Sequence, residues 1–219
     1  MRLKFVAVAD LHGELPDIPE CDVLLIAGDI CPDFSRLRTG GDPNIMGIMQ
    51  RQWLRDEYAD WEEHVPATHI LATPGNHDWI AAFPVSCRSL MFIDEGTTIN
   101  GVSFWFTPWI VPVADWNYEL PRDQRKDRFA EIPQHLDVLV SHSPAYDVGD
   151  VTYSNIKAGC PELRAAIYDK KPKHHVFGHI HEGQRYGKTY QLGATTVHHA
   201  SQWGDGWSPT MFEVDGEKG

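Results

Sequence analysis

The sequence contains no long run of lysine and arginine, and its 19 basic residues face 31 acidic ones, for a formal net charge of −12. Binding a long nucleic acid draws on counterion release at basic patches, so a long nucleic acid is not the expected partner. No stretch of 18 apolar residues occurs, and neither a membrane-crossing helix nor a membrane partner is expected. Cysteine is sparse: Cys21, Cys31, Cys87 and Cys160 show neither CxxC spacing nor the density of a disulfide scaffold. Nothing resembles a signal peptide, so reduced thiols in the cytoplasm are the expectation. Internal repeats, low-complexity tracts and Gly/Ser linkers are also missing, which points to one domain over residues 1–219.

Core-forming material is present in quantity. Hydrophobic residues make up 42% of the chain, with eight Trp and nine Phe, enough for a sizeable buried core. Leu3 to Ala9 is an apolar, β-rich run that stops at Asp10-Leu-His-Gly, the pattern of a strand ending in a polar loop. Asp22-Val-Leu-Leu-Ile-Ala ends likewise at Gly28-Asp29, and His69-Ile-Leu-Ala-Thr runs into Pro74-Gly-Asn-His-Asp. Between Pro43 and Val65 apolar residues recur at helical spacing, which predicts one amphipathic helix whose acidic residues, Asp56 to Glu63, form a solvated face. Asn100-Gly101 predicts a hairpin turn, and Cys160-Pro161-Glu162 a helix start running to about Tyr168. Asp137-Val-Leu-Val ends at Ser141-His142, and His174-His-Val-Phe at Gly178-His179. Late strands are expected around Thr189 to Ala200 and Met211 to Val214. The pattern is α/β, and periodicity leaves open a mixed sheet or two sheets packed together.

Five times an apolar strand ends, and five times the next residues are Asp, His or Asn: Asp10/His12, Asp29, Asn76/His77/Asp78, His142 and His179/His181. Loops beyond the carboxyl ends of strands share one edge of an α/β sheet, so ligands distant in sequence can converge there. Each piece alone has a bland reading. Asp10-x-His12 fits an Asx turn, Gly28-Asp29 a simple turn, and Gly178-His179-x-His181 ordinary strand-end histidines. Their recurrence in one context is what coincidence explains poorly. Imidazoles, carboxylates and one amide oxygen suit borderline or harder divalent ions: Mn²⁺ first, with Fe, Zn or Mg as alternatives. Seven such groups exceed the needs of one tetrahedral ion and suit two ions sharing a bridging carboxylate. His64, His69, His135, His174, His175, His198 and His199 lack that setting and are read as core, surface or supporting residues. Trp109, Trp116, Trp203 and Trp207 are candidates for core or for a wall of the site, and Arg122, Arg125, Lys126 and Arg128 for a solvated helix face.

The ordered set Asp10-Leu-His12, Gly28-Asp29, Gly75-Asn76-His77-Asp78, His142 and Gly178-His179-Ile-His181 resembles the calcineurin-like metallophosphoesterase superfamily. Thr107-Pro108-Trp109, Leu120-Pro121-Arg122, Gly159-Cys160-Pro161-Glu162-Leu163 and the run from Pro172 to Gly183 look closest to its small brain-protein-239-like phosphodiesterase branch. Ser141-His142-Ser143-Pro144 departs from the more usual His-Gly or His-Thr context, and His179 stands where some members of that branch carry Gly. The resemblance implies a four-layer sandwich of two mixed β-sheets flanked by helices, with a dimetal centre at the strand ends. One ion would be held by Asp10, His12, Asp29 and His181, the other by Asp29, Asn76, His142 and His179. It further implies a bridging water, deprotonated near neutral pH, as the nucleophile, with His77 assisting the leaving group and Asp78 orienting His77. The implied substrate is a small phosphoester, first a nucleotide-like diester. A phosphomonoesterase, including a protein phosphatase, is the alternative, although the chain lacks the usual Arg of that group's Asn-His-Glu block. A non-catalytic metal-binding scaffold and a nuclease rank lower, the first because His77 and all seven ligands are intact, the second because the chain is acidic.

Overall fold

A computed structural model describes residues 1–34, 40–182, 188–202 and 208–216. Its strands are β1 (Arg2–Val8), β2 (Cys21–Ala27), β3 (Ala67–Thr73), β4 (Leu90–Met91), β5 (Glu95–Ile99), β6 (Val102–Thr107), β7 (Val138–Ser141), β8 (His174–Phe177), β9 (Thr189–Leu192), β10 (Thr195–His199) and β11 (Thr210–Asp215). They form a five-stranded sheet in the order β11-β1-β2-β3-β4 and a six-stranded sheet in the order β5-β6-β7-β8-β10-β9. Both sheets are mixed. β1 to β4 run parallel with β11 antiparallel at the edge. β6, β7, β8 and β10 run parallel between the antiparallel edges β5 and β9.

Period-2 alternation places the cores. On β1, Leu3, Phe5 and Ala7 point to one side and Val6 and Val8 to the other, and every one of them is buried. The first set joins Val23 and Leu25 of β2, Val102, Phe104 and Phe106 of β6, and Val138 and Val140 of β7 in a core between the sheets. The second set joins Leu24, Ile26, Ile70 and Ala72 in a core under the helical segment Pro43–His64. On the second sheet Leu139, Phe177 and Val197 turn outward and meet Phe129, Leu163 and Ile167. The last three lie on the helices Arg122–Ala130 and Pro161–Lys170. Three cores separate four layers: helix, sheet, sheet, helix. With each large apolar side chain contributing about 1.5–3 kcal/mol when fully buried, strands apolar on both faces are stable only as inner layers.

The helix predicted between Pro43 and Val65 forms, but with a widened turn. Helix α1 (Pro43–Trp53), capped by the Asp42 carboxylate on Asn44 N, passes through a π-helical segment, Leu54–Tyr58, into α2 (Ala59–His64). The wider turn keeps Trp53, Leu54 and Tyr58 all on the buried side, which a regular 3.6-residue wheel does less well. The acidic face is not wholly solvated. Glu62 is buried and accepts from Arg88 N, Ser89 N and Ser89 Oγ. The Arg122–Arg128 face is corrected in the same way: on α3 (Arg122–Ala130), Arg125 is buried and pairs with Glu162 of α4 (Pro161–Lys170) at 2.8 Å. The hairpin at Asn100-Gly101 forms, with φ of 50° and 79° at the two turn residues, as a type I′ turn requires. Among the described residues no helix is long and apolar enough to cross a membrane.

Candidate metal centre

Parallel pairing brings the carboxyl ends of β1, β2 and β3 to one edge of the first sheet, and those of β7 and β8 to the same edge of the second. Beyond those ends the ladder continues through the loops. Asp10 N bonds Gly28 O, His12 N bonds Asp29 O, and Gly178 N bonds His142 O. The loops after β1 and β2 are therefore laced together, and so are those after β7 and β8, before any side chain is considered.

Two clusters result. Asp10, His12, Asp29 and His181 offer ligand atoms within 4.8 Å of one another, and so do Asp29, His142 and His179. Asp29 belongs to both. Its Oδ1 accepts from His77 N at 2.8 Å. That leaves Oδ2 between His142 Nε2 at 3.3 Å and His12 Nε2 at 3.8 Å. Asn76 joins the second cluster through Oδ1, 3.0 Å from His142 Nε2. Asp10 takes His179 N on both oxygens at 3.0 Å and faces His181 Nε2 at 3.4 Å. All seven residues proposed as ligands from the sequence are thus brought together.

The donor set fits cations. His142 Nδ1 lies 2.8 Å from the carbonyl oxygen of Ala27. With its proton directed there, Nε2 of the neutral ring is an acceptor facing two further acceptors, Asp29 and Asn76. Such a convergence, buried as His142, Asp29 and Asn76 are, needs positive charge between its members. The proton affinities express the same need. Burial opposes ionisation of Asp10, yet the hydrogen bond and charge of His181 outweigh it and hold the carboxyl at about 2. Asp29 is held well below the carboxylate range, His142 overcoming the burial. Burial would lower His12 and His142, but the surrounding carboxylates, Asp33 and Asp29 foremost, push both up to about 9. His179 is half-buried; desolvation and the charge of His142 beside it take it down to about 3, the neutral state a metal ligand requires.

The backbone is strained toward the same end. Asp10, His12, Asp29 and His179 have φ of 56°, 46°, 53° and 71°, a left-handed region that non-glycine residues enter at a penalty. Gly75 is required by close approach, because a Cβ there would collide with the Asp29 carboxylate and the His142 ring.

His77 lies at the edge of this centre, its ring 4.8 Å from that of His12. Its partner is not the expected one. The Asp78 carboxylate is buried and accepts from Ile30 N, Cys31 N and Gly75 N, so it ties the loops after β2 and β3 together. Asp33 instead contacts His77 Nδ1 at 2.8 Å and His12 Nδ1 at 3.2 Å. These three form a further Asp/His group, in which one carboxylate faces the Nδ1 of both rings, as outer carboxylates commonly do around metal ligands. Nothing in the spacing singled out Asp33, which sits in a loop with no partner nearby in sequence. None of the seven other histidines belongs to these groups among the described residues. Trp109 packs against the outer core and donates to Asp94, Trp116 stacks on His77, and Trp203 and Trp207 lie outside the described residues.

Two mixed sheets between helical layers, with carboxylates and imidazoles gathered beyond the strand ends, are the architecture of a metallophosphoesterase. The sequence model of the family described as calcineurin-like phosphoesterase matches residues 3–183, and the chain belongs to that family. UPF0046 protein T07D4.2 of Caenorhabditis elegans is 31% identical over 217 residues, which cover 86% of this chain and 53% of that protein. Human Metallophosphoesterase domain-containing protein 1 is 28% identical over 221 residues, covering 90% of this chain and 65% of the relative. The chain therefore spans between half and two-thirds of the length of these curated relatives. The crystal structure of TT1561 of Thermus thermophilus shares the fold at a TM-score of 0.53 and 14% identity, covering 91% of this chain and 89% of that one. Family membership and the Asp/His clusters both point to bound divalent metal.

Proposed function

We propose that this chain is a cytoplasmic phosphodiesterase acting on small nucleotide-like diesters, with two divalent ions, manganese first, as cofactors. Asp10, His12, Asp29 and His181 would hold one ion, and Asp29, Asn76, His142 and His179 the other. Two such ions would supply Lewis-acid polarisation of the phosphoryl oxygens and would make a water more acidic.

The chain's own residues do the rest. Asp29 keeps one oxygen on His77 N and turns the other between the two clusters. Ala27 O fixes the tautomer and rotation of His142. His77 has Nδ1 on Asp33, so Nε2 is the nitrogen left to give a proton to the departing oxygen, as general acid. Asp33 orients that ring, and Asp78 acts one step further out by holding the loops in register.

The observation that carries this reading is the membership of Asp29 in both clusters. The test is metal analysis of the purified protein, followed by rates on bis(p-nitrophenyl) phosphate and on p-nitrophenyl phosphate with Mn²⁺ supplied. Two ions per chain and faster diester hydrolysis are expected. A strong monoester preference would overturn the diester assignment, and no hydrolysis of either ester at full metal loading would leave the scaffold reading in its place.

A further inference from the structure

A group attached to the departing oxygen has to be accommodated beside His77, where the structure holds a cleft of about 400 Å³. Its apolar walls are Phe34, Met46, Trp79 and Trp116, and Asp33, the partner of His77, lines it too. The Trp116 indole lies over the His77 imidazole with ring centroids 4.1 Å apart and planes 29° from parallel. The cleft is built onto the loop that carries His77. Gln50, itself buried, accepts from Trp79 N and donates to His77 O. Next to Trp116, Asn117 bonds Asn76 O through its backbone N–H and Asp78 O through its side chain. The walls therefore keep their position relative to His77 and Asn76.

We propose that this cleft binds the leaving group of the ester and takes a flat, uncharged aromatic group of the class of a nucleoside base. The inference rests on the phosphoester reading above. Aromatic walls suit a π-face, on which a base can stack. The volume lies within the range of small-molecule sites. Asp42 and Asp115 add two more carboxylates to the lining, so a leaving group that carries its own phosphate meets like charge.

The test is titration of the manganese-loaded protein with adenosine, which has no ester to cleave, followed by tryptophan fluorescence and by competition against bis(p-nitrophenyl) phosphate. Adenosine should quench saturably and compete, while ribose should do neither. Trp116→Ala should weaken adenosine binding about 5- to 150-fold and raise KM for the aryl diester, and Trp116→Phe should restore most of both. Met46→Trp, which fills the cleft from the opposite element, should block adenosine while the melting temperature is kept. Hydrolysis that proceeds with no competition by adenosine would overturn the cleft and leave the phosphoester reading intact. Saturable adenosine binding in a protein that hydrolyses neither aryl ester would overturn that reading and leave the cleft.

Discussion

His77 Nδ1 stands 2.8 Å from Asp33 Oδ1, and the same carboxylate reaches His12 Nδ1 at 3.2 Å. One exposed-side acid thus holds a proposed metal ligand and the proposed proton donor at once. Burial raises the proton affinity of Asp33, but the two histidines outweigh it and bring the group to about 2. Asp33 is therefore a full negative charge at any pH where the site works.

His77→Ala should keep both ions while kcat falls by about 10²–10⁴-fold. Asp33→Asn should be milder, about 10–100-fold, because it loosens His77 and His12 without removing either. Metal content and kcat measured on the same preparations check both, and an Asp33→Asn enzyme with unchanged rate and unchanged pH profile would remove Asp33 from the mechanism.

Asp29→Asn should lose at least one ion per chain and at least about 100-fold in activity, since the residue faces both clusters and its amide carries no charge to separate two cations. Elemental analysis after dialysis is the measurement. Retention of two ions would show that Asp29 does not bridge.

Metal-free protein should lose thermal stability as pH rises from 6.5 to 9. His12 and His142 have ordinary values of 6.5 and folded values of about 9, so the folded chain binds protons more tightly than the unfolded one. That stabilisation is complete below 6.5 and disappears as pH passes 9. Manganese should reverse the trend, because the same ring nitrogens bind it better once deprotonated. Melting curves of chelator-treated and manganese-loaded protein across this range test it. At the acid end Asp10, held at about 2 against an ordinary 3.8, contributes stability above 3.8 that is lost as pH falls through 2.

Glu162→Ala should destabilise the fold by about 3–5 kcal/mol, because it strands Arg125, whose side chain is 6% exposed beside a 4%-exposed partner. Urea unfolding measures it. The double variant Arg125→Met/Glu162→Leu should recover much of the loss, and failure to do so would assign the pair a role beyond charge compensation.

Gly75→Ala should lower the melting temperature and metal content together. The added Cβ meets the Asp29 carboxylate and the His142 ring, not open space, and neither can yield without disturbing the cluster. A variant that keeps two ions would show that the loop has room to shift.

Much of this protein was legible in one dimension because its strands are short apolar runs that stop abruptly at polar loops. Asp10, Asp29, Asn76, His142 and His179 each follow such a run, and parallel pairing sends the loops of each sheet to one edge. The Asn100-Gly101 turn and the Pro161 helix start were readable because they are local chemistry: two residues that accept positive φ, and a proline with no N–H to lose. What the order of residues could not decide was whatever depends on which loops become neighbours. Asp33, not the adjacent Asp78, partners His77, because the loop after β2 folds over the loop after β3. Asp78 is drawn inward to satisfy three backbone N–H groups that would otherwise be buried without acceptors. Glu62 and Arg125 read as solvated charges on helical faces, yet each is buried against a partner at least 26 residues away. Local periodicity reports which face of an element is apolar. Only the packing of layers determines which polar groups are left without water, and so which must find one another.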